Sequence, residues 1–205
     1  MITSTSAFGM DCEPSDEASI DPMTLLAMWT RREDGAPPPL MSLATNGIDG
    51  FPRVRHVLLT ESDDQYVYFH TDTRSEKAVQ LGASPRAACG LAWPAVGRQV
   101  VLHGEVRVAD ATEMARAYAQ RSRYLQLLAW CNDSDSALST PQQRHERWAR
   151  FDAEHHELEA PPTWIGYAVV PQEITFWRGD PDGPSRRVRF ARESDGQWST
   201  EVLAG

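Results

Sequence analysis

Four residues in the first half of the chain carry side chains that could do chemistry together. Arg55 and Lys77 belong to different predicted elements, a strand and a short helix, and two such cations can converge on one phosphate. His56 and His70 can exchange a proton near neutral pH. Each residue also has an ordinary interpretation, because an arginine at a strand start and a histidine within a strand are commonly solvated polar residues.

The chain has no pattern typical of a metal site, and we expect none. His155 and His156 are neighbours in a charged segment predicted to be helical, so their side chains would point about 100° apart and chelate one ion poorly. The three cysteines, Cys12, Cys89 and Cys131, are widely spaced and form no CxxC pair. This spacing argues against a zinc site or a disulfide framework and favours a reducing compartment.

Composition and charge place the chain among globular proteins. Its 205 residues fit one large domain or two small ones, and an apolar content of 41% with seven tryptophans is enough for a hydrophobic core. A formal net charge of −9 argues against a dedicated nucleic-acid binder.

No apolar run is long enough to span a bilayer, and the N-terminal residues are polar and acidic, unlike a signal peptide. We expect a cytoplasmic protein without a membrane partner, with a flexible N-terminal arm over residues 1–20 and a single domain over residues 21–205.

Short β-rich segments separated by turn residues predict an antiparallel barrel. We expect strands at residues 41–45, 53–59, 66–70, 87–93, 99–108, 164–170, 174–178 and 188–192. Residues 46–50 are typical of a tight hairpin turn in which glycine accepts a positive φ. Because the predicted strands carry Arg55, His56 and His70, the barrel must position these side chains.

Helices are expected between the strands and before them. They cover residues 75–81, 110–128 and 141–159, and a first helix begins at residue 21 and fades at residues 31–33. Asp21 can cap this first helix, and Pro22 suits its first turn. Residues 132–140 are polar and are expected to form a loop.

Short motifs in a fixed order run along the whole chain. They are Arg55-His56-Val57-Leu58-Leu59, His70-Thr71-Asp72, Ser75-Glu76-Lys77, Trp93 ahead of Arg98-Gln99-Val100, Trp164-Ile165-Gly166-Tyr167, Phe176-Trp177 and finally Arg187. No single motif is diagnostic. Together and in this order, they resemble the pyridoxamine 5′-phosphate oxidase family of FMN-binding split barrels.

The resemblance implies a mainly β fold with flanking helices, namely a six-stranded antiparallel split β-barrel that forms a homodimer with FMN at the subunit interface. The implied reaction is hydride transfer from a C–N or C–H centre of a small-molecule substrate to the flavin, followed by reoxidation by O2. In such a reaction the protein contributes orientation and electrostatics rather than covalent catalysis.

By the same resemblance, residues from several elements would hold the cofactor: Arg55, His56, Val57, Leu58, His70, Thr71, Lys77, Gln99, Trp177 and Arg187. Arg55 and Lys77 would clamp the phosphate. Gln99 would read the polar edge of the ring, and Trp177 and Arg187 would close over it. The candidate catalytic residues are His56, His70 and Arg187.

Departures from the family pattern fall mostly at positions that the family uses for its substrate. The family's phosphate-binding lysine is replaced by Thr60, a serine by Leu125, and an arginine and a histidine by Gly183 and Ser185. Arg121 still matches the family's substrate-phosphate arginine. A pocket of this kind is less cationic and more apolar, so a buried phosphate dianion would be poorly paired.

We therefore expect a substrate that is less charged than pyridoxamine 5′-phosphate, such as an amine, an imine or a dihydro-aromatic compound of secondary metabolism. The predicted substrate-facing residues are Thr60, Tyr118, Arg121, Leu125 and Ser185. Two alternatives stay open. One is a flavin- or ligand-binding barrel without turnover, and the other is a true pyridoxamine 5′-phosphate oxidase with a rearranged pocket.

Glu76 is a departure on the cofactor side. It replaces one of two adjacent cations that the family uses for the flavin phosphate. A carboxylate there would weaken FMN binding unless it turns away from the phosphate or pairs with Arg74.

Overall fold

The computed structural model describes residues 17–31 and 38–204 of the chain. Within them the strands are β1 (Leu40–Asn46), β2 (Pro52–Leu58), β3 (Glu61–Ser62), β4 (Val67–Asp72), β5 (Arg86–Trp93), β6 (Arg98–Val108), β7 (Trp164–Arg178), β8 (Arg186–Arg192) and β9 (Trp198–Ala204). The helices are α1 (Pro22–Thr30), α2 (Glu76–Ala83), α3 (Ala111–Ala119), α4 (Arg123–Cys131), α5 (Ser134–Leu138) and α6 (Pro141–Glu154).

Six of the strands form the predicted split barrel. They follow the order β2-β1-β5-β6-β7-β4, and every neighbouring pair is antiparallel. β2 and β4 contact each other at the ends of this order, yet within the described residues no ladder joins them. The barrel is therefore closed by packing rather than by hydrogen bonds along that seam, and this seam is where the predicted site residues of β2 and β4 meet.

β7 is one long strand, whereas the sequence predicted two strands at residues 164–170 and 174–178. Its first half pairs with β4, its second half pairs with β8, and β6 pairs with residues 167–178 across both halves. The predicted break at Pro171 is wrong because the proline lies at a register shift opposite Gly104, where a strand can accept it. A Cβ on Gly104 would lie 1.9 Å from the Val170 carbonyl oxygen, so glycine is required for this close approach.

β9 was not predicted from the sequence. It pairs with β8 through residues 198–204, and most of its side chains are exposed. A strand with so little burial lacks the apolar alternation by which strands are recognised. The other predicted strands agree with the structure to within two residues at each end.

The helical region between β6 and β7 is more divided than predicted. The expected single helix over residues 110–128 is two helices, α3 and α4, because Ser122 starts a new helix by accepting a bond from the backbone N–H of Leu125 at 3.4 Å. The expected loop over residues 132–140 contains α5. Asp133 caps α5 through the backbone N–H of Ser136 at 2.9 Å.

α6 starts at Pro141 as predicted, after a capping box made by Thr140 and Gln143, but it ends at Glu154 rather than at residue 159.

α1 packs onto the barrel core, as its helical apolar spacing predicts. Asp21 accepts bonds from the backbone N–H groups of Met23 and Thr24 at 3.0 and 2.9 Å, which satisfies two unpaired helix donors. Trp29 packs edge-on against Phe176, with their ring centroids 5.1 Å apart. The predicted fading of this helix at residues 32–33 lies outside the described residues.

The N-terminal boundary of the folded domain lies further toward the N terminus than predicted. Residues 17–20 were assigned to a flexible arm, but Glu17–Ser19 forms a short 3₁₀ helix. Glu17 is 3% exposed, and its Oε1 lies 2.8 Å from Nη1 of Arg178. The folded domain therefore extends at least to Glu17. Residues 1–16 of the predicted arm lie outside the described residues.

Candidate active site

A cavity of about 470 Å³ opens at the seam where β2, β4, α2 and α4 converge. Nine of the predicted site residues line it: His56, Val57, Leu58, Thr60, His70, Thr71, Lys77, Arg121 and Leu125. The fold therefore brings predicted cofactor residues of β2, β4 and α2 to the same cavity as three predicted substrate residues, although Arg55 of β2 is not part of the lining.

One end of the cavity, at the start of α2, is cationic and rich in hydroxyl groups. Lys77 donates to Oγ1 of Thr71 at 3.1 Å, and that oxygen lies 3.3 Å from Oγ of Ser75. Burial lowers the pKa of Lys77, and the nearby charge of Arg55 lowers it further. Lys77 lies in the first turn of α2 and is close enough to Arg55 to be affected by its charge, so this end of the cavity favours an anion, and its donors suit a phosphate group.

Arg55 lies near this cationic end, and its guanidinium is held by hydrogen bonds to Thr45 and Gln80. Its Nη1 lies 2.5 Å from Oγ1 of Thr45, and its Nη2 lies 2.6 Å from Oε1 of Gln80. Gln80 is 2% exposed and Thr45 is 3% exposed, so the anchor is part of the core. Burial lowers the pKa of Arg55, and the opposite charge of Glu76 partly restores it.

Glu76 does not line the cavity. Its Oε1 accepts a hydrogen bond from Nε2 of Gln80 at 2.6 Å and lies 3.9 Å from Nε of Arg53. The expected pairing of Glu76 with Arg74 is absent among the described ion pairs. Arg74 instead forms a bidentate salt bridge with Asp72, with Nη2 2.6 Å from Oδ2 and Nε 2.9 Å from Oδ1. The Glu76 carboxylate is thus bonded outside the cavity.

The other end of the cavity is built around His70 and Trp164. The two rings stack with centroids 5.0 Å apart and 9° between their planes. Nδ1 of His70 lies 2.9 Å from Oγ1 of Thr60. His70 is paired across the β4–β7 ladder with Gly166, where an added Cβ would lie 2.7 Å from Nε2 of the imidazole. The stack therefore requires glycine at position 166.

His70 is neutral at physiological pH. Burial lowers its pKa to about 4, and the positive charges of Arg121 and Arg116 contribute to the shift. Nε2 is buried and has no hydrogen-bond partner within the described residues. Nδ1 is engaged with Thr60. A proton could therefore reach this imidazole only through Thr60 or after a movement of the ring.

Arg121 is the cation at this end of the cavity. Its guanidinium carbon lies 4.5 Å from the Trp164 ring centroid, in a cation–π contact, and its buried Nε has no partner among the described residues. Burial lowers its pKa. Leu125 and Leu128 line the same cavity. One guanidinium among apolar side chains can pair with one negative charge at modest desolvation cost.

Tyr118, predicted to face the substrate, is 3% exposed and lies outside the cavity lining. It packs edge-on against Trp164, with the centroids 5.4 Å apart, and its hydroxyl donates to the carbonyl oxygen of Gln126 at 3.3 Å. Its role in this structure is to support Trp164 from outside the cavity.

Gln99, Trp177 and Arg187 form a second cluster on β6, β7 and β8. Gln99 faces Trp177 across one ladder, and Trp177 faces Arg187 across the next. None of the three, nor Ser185, is part of the cavity lining of the same chain. Within the described part of one chain, the predicted site residues therefore form two groups.

Sequence reasoning did not assign a role to two of the central residues. Trp164 was noted only as a motif position, although its place at the start of β7, beside His70, makes it the platform for His70 and Arg121. Gln80 carried no signal, because a glutamine in a short amphipathic helix is ordinary.

No group of three or more histidine, cysteine, aspartate or glutamate side chains suited to a metal occurs in the described residues. Cys89 and Cys131 are free and buried. No helix in the described part of the chain is both long enough and apolar enough to cross a membrane.

Comparison with known families accounts for this combination of barrel and cavity. Residues 31–158 match the family described as pyridoxamine 5′-phosphate oxidase, and residues 164–205 match the pyridoxine 5′-phosphate oxidase C-terminal dimerisation region. The protein is an FMN-binding oxidoreductase with a split-barrel fold. It belongs to the pyridoxamine 5′-phosphate oxidase family, whose members are FMN-dependent oxidases, and its dimerisation region supports a homodimer.

Curated relatives agree with this assignment over most of the chain. A pyridoxine/pyridoxamine 5′-phosphate oxidase from Caulobacter vibrioides is 33% identical over 188 residues, covering 89% of this chain and 84% of the relative. One from Acidothermus cellulolyticus is 34% identical over 199 residues, covering 92% and 88%.

Solved structures show the same fold. PhzG from Burkholderia lata, solved in complex with tetrahydrophenazine-1-carboxylic acid, superposes with a TM-score of 0.83 at 26% identity, covering 96% of this chain and 100% of that one. An FMN-binding protein from Nostoc punctiforme superposes with a TM-score of 0.64 at 18% identity, covering 82% and 88%. The donors around Lys77 and the apolar wall beyond them suit FMN, which is the cofactor of this chain.

Proposed function

We propose that the chain is an FMN-dependent oxidase whose substrate is a small, largely planar molecule with at most one negative charge. The observation that carries this proposal is Arg121, which lies over Trp164 beside the neutral His70 in a cavity that Leu125 and Leu128 also line. A single guanidinium balances a carboxylate, whereas a phosphate dianion beside it would stay poorly paired.

The ligand of a similar protein supports the same class of substrate. PhzG was solved with tetrahydrophenazine-1-carboxylic acid, whose name describes a partly reduced ring system with one carboxylic acid. In this chain, a compound of that kind would direct its carboxylate to Arg121 and its rings along Leu125.

FMN supplies the oxidising chemistry when bound, since its ring accepts a hydride from the substrate and returns the electrons to O2 as hydrogen peroxide. The chain's own residues bind and orient. Lys77, Thr71 and Arg55 would hold the phosphate, and the main chain at Val57 and Leu58 would border the ring. Gln99, Trp177 and Arg187 would contribute from the partner subunit, since they lie apart from the cavity within one chain.

The histidines divide between two roles. His56 is exposed at the cavity wall, with Nδ1 3.2 Å from Oγ of Ser42, and would take up the proton that leaves the substrate. His70 is neutral and has both nitrogens either engaged or buried, so it serves as a rigid wall of the cavity.

A second candidate is oxidation of pyridoxamine 5′-phosphate itself. The retained Arg121 and the names of the curated relatives favour it. The third candidate, a flavin-binding barrel without turnover, shares the cofactor site but requires no reduction of the flavin.

Flavin bleaching distinguishes the three candidates. The FMN-loaded protein is mixed without oxygen with a dihydro- or tetrahydrophenazine carboxylic acid, with pyridoxamine 5′-phosphate, or with pyridoxine 5′-phosphate. Bleaching by the acid alone, with colour and peroxide returning in air, supports the proposal. Turnover of either phosphorylated vitamer near the ordinary enzyme median of about 10 s⁻¹ contradicts it. Bleaching by none of the compounds favours the barrel without turnover.

A further inference from the structure

A chain of hydrogen bonds runs from the surface residue Glu76 to Arg55. Oε1 of Glu76 accepts from Nε2 of Gln80 at 2.6 Å. Oε1 of Gln80 accepts from Nη2 of Arg55 at 2.6 Å and from the hydroxyl of Thr45 at 2.6 Å. The same hydroxyl oxygen accepts from Nη1 of Arg55 at 2.5 Å. Gln80 thus bonds to all three of the other residues, Thr45 and Arg55 also bond to each other, and Glu76 joins the chain through Gln80.

The chain of bonds determines which edge of the guanidinium is available. Nη1 of Arg55 donates to the hydroxyl oxygen of Thr45, and Nη2 donates to the carbonyl oxygen of Gln80. The two N–H groups at the tip of the guanidinium are therefore already used. The carbonyl oxygen of Leu43 lies 3.4 Å from Nη1. Within the described residues, the Nε–H and the second N–H of Nη2 have no hydrogen-bond partner. These two donors form the side edge of the guanidinium, which binds two oxygens of a phosphate at once.

Glu76 determines how the Gln80 amide is oriented. A carboxylate only accepts hydrogen bonds, so the NH2 group of Gln80 must face Glu76 and its carbonyl oxygen must face Arg55. The reverse orientation would place NH2 donors against the Arg55 donors. Glu76 can do this at little electrostatic cost to a bound phosphate, since its side chain is 71% exposed and Arg53 lies 3.9 Å away.

We propose that Gln80 and Glu76 are positioning residues that hold the Arg55 guanidinium with its side edge presented to the FMN phosphate. This inference rests on the phosphate clamp of the proposed function. This positioning role also explains how a carboxylate at position 76 is compatible with the FMN phosphate, although the family resemblance led us to expect a cation at that position.

The first test compares FMN with riboflavin, which lacks the phosphate. Dissociation constants are measured by flavin fluorescence for the full-length protein and for Gln80→Met. The variant should bind FMN about tenfold more weakly and riboflavin within about twofold of wild type. Gln142→Met is the matched control, since Gln142 also donates to a glutamate four residues away, at 2.9 Å, but on an exposed helix face. It should change neither constant.

A second pair of variants keeps the test independent of any folding defect in Gln80→Met. Glu76→Gln and Glu76→Ala carry the same charge, but only the glutamine retains an acceptor for Gln80. Glu76→Gln should bind FMN at least about threefold more tightly than Glu76→Ala, with equal riboflavin affinity. Equal FMN affinity in the two variants would overturn the positioning role of Glu76.

The outcomes separate this inference from the proposal beneath it. If wild-type protein binds FMN no better than riboflavin, the phosphate clamp is wrong, and the inference fails with it. If wild type prefers FMN and Gln80→Met keeps the same preference, the clamp stands and the inference alone is wrong.

Discussion

Thr60 and His70 lie 2.9 Å apart between Oγ1 and Nδ1, and this contact engages the threonine that replaces a lysine of the family pattern. In this chain the threonine is too short to reach a substrate phosphate, and it engages the imidazole instead. With Thr60 in place of a lysine, Arg121 is the cation that lies beside His70 and Trp164, which fits the proposed substrate with at most one negative charge.

Gly166→Ala should destabilise the protein by disturbing the stack of His70 on Trp164. The added methyl group would lie 2.7 Å from Nε2 of His70 and 3.0 Å from Cγ of Met114, and we expect a loss of about 1–3 kcal/mol in the free energy of unfolding. Gly82→Ala is the control. It lies in α2 with no heavy atom within 4 Å of the new Cβ, so it should be neutral or stabilise by up to about 1 kcal/mol. Urea unfolding of both variants measures the difference, and equal stabilities would contradict the required glycine.

His70 should make the protein less stable as the pH falls from about 6.5 to about 4. Burial and the charges of Arg121 and Arg116 lower its folded-state pKa to about 4, so in this range the unfolded chain binds a proton that the folded chain does not. The contribution of His70 is therefore complete above pH 6.5 and is lost toward pH 4. His70→Phe keeps an aromatic ring but cannot titrate, and its Tm should fall less between pH 7 and pH 4.5 than that of wild type.

The control for this pH effect is His145→Phe, at an exposed position on α6. Its Tm should follow the wild-type pH dependence. The same pH dependence in His70→Phe and in wild type would show that this imidazole is not the group responsible.

Arg121→Met should remove the preference of the enzyme for an anionic substrate. The guanidinium lies over Trp164, and its buried Nε has no partner among the described residues, so a substrate carboxylate would gain a charge-assisted hydrogen bond there. We expect kcat/KM for a phenazine-type carboxylic acid to fall about ten- to hundredfold, with little change for the corresponding amide. Peroxide release with both compounds measures this ratio, and an equal loss for acid and amide would point to a structural role.

Arg55→Ala and Arg187→Ala should complement each other if each site takes residues from both subunits. Either homodimer should bind FMN poorly. In a random mixture half of the dimers are mixed, and one of their two sites is intact, so about a quarter of wild-type FMN binding should return. No recovery after unfolding and refolding the two variants together would place both arginines at the same site of one chain.

Much of the fold and of the site followed from the sequence alone. The order of the motifs from Arg55 to Arg187 indicated the family, the antiparallel barrel and the FMN cofactor. The position of Lys77 and the replacement of the family's lysine and serine by Thr60 and Leu125 could also be inferred, because they depend on which residue stands at which place along a strand or helix.

Other properties were decided only by tertiary structure. The direction of Glu76, the anchoring of Arg55 and the low pKa of His70 depend on contacts between residues that are distant in the chain, such as Thr45 and Gln80, which are 35 positions apart. The continuity of β7 through Pro171 and the presence of the exposed strand β9 likewise depend on neighbouring strands. Local pattern predicts which element a residue joins, whereas burial and the partners of a side chain arise only when separate elements pack together.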